Sequence, residues 1–226
     1  MSIPNSKDRV FSYPKQKAAN DLVFYYPIKR ILDVIFGVFG MLLLLFFTIV
    51  FIPFYLFGQN KGPIFFRQKR IGRYGEEFYI YKFRSMIINA EEKLRKDKQL
   101  YQKYLKNNYK LVPNEDPRVT KFGKFIRRTS LDEIPQFINV LKGEMSIVGP
   151  RPIVYEELEE YKDRKTDFLS VKPGLTGYWQ VCGRSEVGYP ERVDIELYYV
   201  YNKSFLFDLK IILKTIFRVI LRKGAY

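Results

Sequence analysis

Residues 34–57 read VIFGVFGMLLLLFFTIVFIPFYLF, 24 positions without a charge, and every other reading of the chain follows from that run. At ~1.5 Å per residue a helix of this length reaches about 36 Å, more than the ~30 Å hydrocarbon core of a bilayer demands. A buried helix of a soluble protein normally keeps a polar stripe, and 34–57 has none. The sequence therefore predicts a membrane-embedded helical segment over 27–61. A secretory signal is not expected, because the run is longer than a signal core and no small-residue cleavage pattern follows it.

The flanks bear on topology. Lys29 and Arg30 precede the run, and Lys61, Arg67, Lys69, Arg70 and Arg73 follow it. Basic residues favour the cytoplasmic side, so both flanks ask for the same face. A re-entrant hairpin broken at Pro53 would satisfy both; a tilted single span with Pro53 near its far end is the alternative.

Composition narrows the chemistry. The chain has no histidine, which excludes His general bases, His triads and His-ligated metals. Cys182 is its single cysteine, so there is neither a disulfide nor a thiolate cluster. Carboxylate, Lys, Arg, Tyr, Ser and Thr remain. A net charge of +15 calls for anionic company: lipid head groups, nucleic acid or a phosphorylated substrate.

Residues 1–26 form a polar arm without apolar periodicity, and 62–226 are long enough for one domain. Within the domain, residues 64–66 and 78–81 read as strands around the turn Gly72-Arg73-Tyr74-Gly75, a short β-hairpin. Residues 87–109 carry the mixed charge of one solvated helix. In 205–223, Lys210, Lys214, Arg218 and Arg222 recur every four residues amid apolar positions, an amphipathic C-terminal helix suited to a head-group plane. Packing of its apolar face on the domain, with the basic stripe in water, is the other reading.

Four stretches look chemical. In Thr129-Ser130-Leu131-Asp132-Glu133-Ile134-Pro135-Gln136, two adjacent carboxylates could divide the work of attack and cation binding. Ser130 and Glu133 equally spell a capping box. Arg118, Lys121, Lys124, Arg127 and Arg128 precede the pair, a density of cations suited to phosphate. In the second stretch Arg151 stands between Pro150 and Pro152, which would present its guanidinium rigidly or simply mark a rigid turn. The third, Lys172 to Gln180 running into Gly183-Arg184, offers Tyr178 and Trp179 either for base stacking or as a buried aromatic pair. The fourth, Tyr81-Lys82-Phe83-Arg84-Ser85-Met86, has the alternation of a half-buried edge strand.

Taken in order, "KR-ILD", the apolar run, "GPIFFRQKRIG", "YKFRSM", "DPRVTKFGKFIRRTSLDEIPQFINVLKGEMSIVGPRP", "KPGLTGYWQVCGR" and "DIELYYV" resemble the bacterial sugar transferases, the monotopic polyprenyl-phosphate phosphoglycosyl transferases, over about residues 27–223. The resemblance implies a mainly helical α+β domain on the cytoplasmic face of the inner membrane. It implies transfer of a sugar phosphate from a nucleotide diphosphate sugar, usually a UDP-sugar, to undecaprenyl phosphate with release of UMP. Asp132 would be the nucleophile, Glu133 the Mg2+ ligand, and Lys82, Arg118, Arg127, Arg151 and Arg184 the basic set around the phosphates. The bilayer is an implied partner, and a homo-oligomer is compatible with the family. The chain departs from members with a Ser-Pro break in mid-run: Phe46-Phe47-Thr48 stands there, and the proline comes later. A membrane-tethered nucleic-acid-binding protein without catalysis is the competing class; against it, no recognition helix or aromatic strand signature is present.

Overall fold

The structure is a computed structural model that describes residues 23–107, 109, 111, 116–183 and 187–221. Helix α1 (Tyr25–Leu56) leads into an antiparallel hairpin of β1 (Phe65–Ile71) and β2 (Glu77–Phe83), with Phe65 opposite Phe83 and Ile71 opposite Glu77. Tyr74 and Gly75 turn the hairpin at positive φ. The strands outrun the expected 64–66 and 78–81, because Arg67, Lys69 and Glu77 point to water while Phe78, Ile80 and Phe83 face inward.

The single helix expected over 87–109 is instead two, α2 (Ala90–Lys96) and α3 (Lys98–Lys106). Asp97 divides them: its backbone is extended and its side chain accepts the Leu100 N–H at 3.0 Å as the cap of α3. Then come α4 (Lys121–Arg128), a 3-10 turn (Leu131–Gln136) running into α5 (Phe137–Lys142), and β3 (Ser146–Val148). Short helices α6 (Tyr155–Leu158) and α7 (Lys165–Leu169) precede β4 (Gly174–Thr176), which pairs in parallel with β3. The chain closes with α8 (Tyr178–Cys182), α9 (Glu191–Asn202) and α10 (Phe205–Ile220). This is the mainly helical α+β architecture with small sheets that the sequence predicts.

The hairpin expected within 34–57 is not present: α1 is one unbroken helix of 32 residues, about 48 Å long at ~1.5 Å per residue. Pro53 lies within its last turn, so the lost donor disturbs the helix end rather than its middle. Both ends of α1 nevertheless dock on the same domain. Tyr25, Asp33, Gly37, Gly40, Leu44, Phe51 and Tyr55 form one buried stripe at helical spacing. At the N-terminal end the Tyr25 hydroxyl and Lys29 Nζ donate to Asp208 of α10, at 2.9 and 2.5 Å. Asp33 accepts from Ser146 Oγ at 2.9 Å and from the Ile147 N–H at 2.8 Å, and Arg30 covers the last carbonyls of α5, Val140 and Leu141. In mid-helix a Cβ on Gly40 would sit 2.1 Å from the Phe137 ring, so glycine is what admits α5 there. At the far end Phe51 and Tyr55 pack with Phe83, Ile126 and Ile134. The opposite face is bare: Phe39, Leu42, Leu45, Phe46 and Ile49 are each more than half exposed.

Helix α10 is turned the same way. Asp208 and Ile211 are buried, whereas Leu206, Leu213, Ile216 and Phe217 stand exposed beside Lys210 and Lys214. The apolar positions thus divide: Phe207, Ile211 and Ile212 pack on the domain, as the second reading has it, while Leu206, Leu213, Ile216 and Phe217 point away from it. Arg218 departs from the predicted stripe by donating to the Gln180 carbonyl at 3.3 Å, and Arg222 lies outside the described residues.

Candidate active site

The second half of the hairpin carries Lys82 inward at the end of β2, where its Nζ meets Glu133 Oε1 at 2.8 Å. The capping box read from Ser130 and Glu133 does not form: Ser130 adopts φ 58° and its side chain makes no cap hydrogen bond to the following turn. That turn is 3-10 rather than the first turn of an α-helix, and it carries Asp132 inward. Burial, reinforced by the neighbouring Glu133 charge, raises the Asp132 carboxyl to about 6, against the pull of Lys82 and Arg127.

Arg127 reaches the site from α4. Thr120 caps this helix by accepting the Gly123 N–H at 2.9 Å. A Cβ on Gly123 would lie 1.8 Å from the Ser85 carbonyl oxygen, so glycine seats the helix against the β2 exit. Arg127 Nε then donates to Ser85 Oγ at 2.8 Å. Arg118 is held differently: its Nε and Nη2 grip Asp116 in a two-pronged pair, both at 2.8 Å. Burial would push Asp116 up, but the Arg118 fork outweighs it and holds the carboxyl below the usual range. Arg118 is thus committed to a carboxylate.

Strands β3 and β4 bring the remaining stretches together. The Gly149 N–H donates to Thr176 O at 2.9 Å and the Gly174 N–H to Pro150 O at 2.8 Å, which sets the Arg151 turn against the glycine-rich segment. Arg151 is fixed through its own N–H, 3.3 Å from Glu196 Oε1. Among the described residues its guanidinium has no hydrogen-bond partner, and it lines one cavity with Lys82, Glu133 and Gln136. Arg184 lies outside the described residues. Trp179 is buried beneath Arg192, and Tyr178 packs against Tyr198 and Phe207, so the aromatic pair is core rather than a stacking platform.

The same cavity includes Arg70, which the sequence reading leaves on the basic flank, and Gln180, which closes the third stretch without an assigned role. Arg70 Nε and Gln180 Oε1 are buried atoms without a partner among the described residues. Each is a polar group held ready on a cavity wall, at a cost that a bound ligand would relieve. The sequence signal for Arg70 was its basic character, which was counted toward the membrane flank; for Gln180 there was only its place beside Trp179.

Among the described residues no group of three or more His, Cys, Asp or Glu side chains converges on one point. The donors at this site are the two hard carboxylates of Asp132 and Glu133. That set fits a cation such as Mg2+, which commonly takes one or two carboxylates and completes its shell with water and substrate phosphate.

A family model described as bacterial sugar transferase matches residues 24–222. The undecaprenyl-phosphate galactose phosphotransferase of Salmonella typhimurium is 42% identical over 202 residues, covering 88% of this chain and 42% of that protein. The exopolysaccharide production protein ExoY of Sinorhizobium fredii is 40% identical over 202 residues, with 88% of each chain covered. The UDP-glucose:undecaprenyl-phosphate glucose-1-phosphate transferase of Escherichia coli is 42% identical over 176 residues, 74% of this chain and 35% of that protein. The chain thus spans less than half the length of the Salmonella and Escherichia relatives and most of the length of ExoY.

Proposed function

The chain belongs to the bacterial sugar transferases, and from that premise we propose that it is a phosphoglycosyl transferase that transfers a sugar phosphate from a UDP-sugar to undecaprenyl phosphate and releases UMP. The observation that carries this reading is Asp132, a buried carboxyl raised to about 6 beside the Lys82–Glu133 pair. A carboxylate short of solvent and near neutrality in its titration is ionised at pH 7 and poorly hydrated, the state a nucleophile needs.

In the first step an Asp132 oxygen attacks the phosphorus that bears the sugar, an acyl-phosphate P–O bond forms, and the bond to the α-phosphate breaks so that UMP leaves. In the second step an oxygen of undecaprenyl phosphate attacks the same phosphorus, the bond to Asp132 breaks, and the carboxylate returns with a lipid diphosphate sugar as product. Lys82 and Arg127 flank Asp132 and offset the charge that gathers at phosphorus, and the unpartnered guanidinium of Arg151 grips the diphosphate. Glu133, with Asp132, would hold Mg2+, which when bound neutralises phosphate charge. Both basic flanks of α1 lie on the domain side, which supports a helix embedded from one face of the inner membrane with the domain in the cytoplasm. The bare faces of α1 and α10 would meet lipid, and the product would enter exopolysaccharide or capsule assembly.

A screen of UDP-sugars for UMP release, with undecaprenyl phosphate present, tests the reading. One sugar should give release that depends on the lipid acceptor for turnover beyond the first. Absence of UMP with every sugar, in a folded preparation with Mg2+, would overturn it.

A further inference from the structure

A second cavity of about 140 Å³ lies between the N-terminal half of α1 and helix α10. It shares no lining residue with the catalytic cavity. Its walls include Leu32 and Phe36 from α1, Val148 from β3, and Phe205, Leu209 and Ile212 from α10. Tyr25, Lys29, Asp33 and Asp208 also border it, and each spends its polarity inside the protein. Asp208 takes the Tyr25 and Tyr199 hydroxyls at 2.9 Å and Lys29 at 2.5 Å, while Asp33 is bonded to Ser146 and Ile147. With these wall groups satisfied, water gains few hydrogen bonds by entering. A dry apolar cavity of roughly 150 Å³ is known to accept a benzene-sized ligand.

The setting indicates which ligand. Phe36, Phe205 and Leu209 are each more than a third exposed at this cavity. The neighbouring outward residues of both helices, Ile35, Phe39, Leu206 and Leu213, are apolar and exposed as well. A hydrocarbon chain could pass from that surface into the cavity without uncovering a polar group. We infer that the α1–α10 cavity is a lipid site that takes part of an acyl chain of a bilayer phospholipid, separate from the site of the reacting acceptor. The inference rests on the membrane reading of α1 given above.

The test uses the full chain reconstituted into phosphatidylethanolamine and phosphatidylglycerol vesicles that contain a phospholipid with a photoactivatable acyl chain. Flotation with the vesicles is scored first, and labelled peptides are then mapped. Label is expected on α1 around Leu32–Phe36 and on α10 around Leu209–Ile212. It should fall about tenfold in Leu209→Trp or Leu32→Phe, which fill the cavity from opposite walls. Val219→Trp, on the exposed side of α10, should leave it unchanged. Label that is insensitive to both fillings overturns the site. Label displaced by stoichiometric undecaprenyl phosphate would assign the cavity to the acceptor and also overturn it. Failure to float would remove the membrane reading and the site together.

Discussion

Two clusters of opposed charge sit in this domain, one around Arg192 and one around Asp132, and they are satisfied to different degrees. In the first, Arg192 Nη1 meets Glu157 Oε2 at 2.9 Å and its Nε meets Glu196 Oε1 at 3.2 Å, with Trp179 and Tyr189 against its guanidinium face. The Tyr161 hydroxyl donates to Glu196 and that of Tyr189 to Glu157, and Arg70 approaches Glu157 at 3.6 Å. Each carboxylate oxygen of the two glutamates has a partner. Burial would raise Glu157, but Arg192 and Arg70 prevail and hold it below the usual range. Around Asp132 the balance is reversed: burial prevails over Lys82 and Arg127, and the carboxyl rises to about 6. Charge density alone does not separate a structural cluster from a chemical one. In these two clusters burial and neighbours leave the carboxyls on opposite sides of their ordinary range.

The comparison breaks most readily at Asp132. Asp132→Asn should lower turnover on the order of a thousandfold or more, since it removes the attacking group at nearly constant volume. It should not lower stability, and it should raise it at neutral pH. The folded carboxyl binds its proton more tightly than the unfolded one, so in the wild type stability falls as pH rises from about 4 to about 6 and is level above. A shift from 3.8 to about 6 corresponds to a penalty on the order of 3 kcal/mol at pH 7, which asparagine would relieve. Activity should run the other way and decline as pH drops through about 6. Urea melts at pH 7.5 and 5, alongside rate profiles, check both signs; a destabilised Asp132→Asn would mean that the turn depends on its charge.

Glu157→Gln should do the opposite. Removing this carboxylate leaves Arg192 with Glu196 as its remaining carboxylate partner and should cost up to about 3–5 kcal/mol, read as a lower denaturation midpoint. Its acid dependence also has the other sign, because a depressed carboxyl gives stability above its unfolded value that is lost as pH falls through the folded one. Activity per folded molecule should fall less than in Asp132→Asn. Glu196, the partner of Arg192, also holds the Arg151 N–H, so some loss through Arg151 is expected.

Arg151 lies between the two clusters, its backbone anchored by one and its guanidinium in the cavity of the other. Arg151→Lys keeps the charge but gives up the planar fork. Its rate should fall about ten- to a hundredfold with an unchanged melt, because a bidentate phosphate contact is replaced by a point charge. A loss of melting temperature instead would make Arg151 a member of the structural cluster.

What could be read from sequence follows the same division. The apolar run, the hairpin turn and the acidic dyad are local patterns, and each appears where its residues predict. The continuity of α1 was not legible, because Asp33, Gly37 and Gly40 reveal a docking stripe only once Ser146, Leu141 and Phe137 are beside them. The break at Asp97 could have been found, since Asp97 stands three residues before Leu100 as a cap. Arg70 was hidden by its context: beside Lys69 and Arg73 it reads as flank charge, whereas in space it lines the cavity and approaches Glu157.

The smallest expected effect concerns α10, where one periodic stripe of basic residues divides in space. Lys210 and Lys214 are exposed, and each should contribute about 1 kcal/mol of attraction to an anionic surface. Arg218 instead donates to the carbonyl of Gln180, a residue on the wall of the cavity lined by Lys82 and Glu133, and Thr215 Oγ1 meets Thr176 Oγ1 of β4 at 2.7 Å. Changing Lys210 and Lys214 together to Gln should weaken binding to phosphatidylglycerol vesicles by roughly tenfold or somewhat more and leave turnover in detergent unchanged. Arg218→Gln should bind vesicles with a smaller loss yet turn over about two- to fivefold more slowly in detergent, because one hydrogen bond of about 1 kcal/mol no longer steadies the Gln180 wall. The contrast separates a helix that only rests on a surface from one that also braces the site. Equal behaviour of the two variants in detergent would show that the Arg218 contact carries no weight in catalysis.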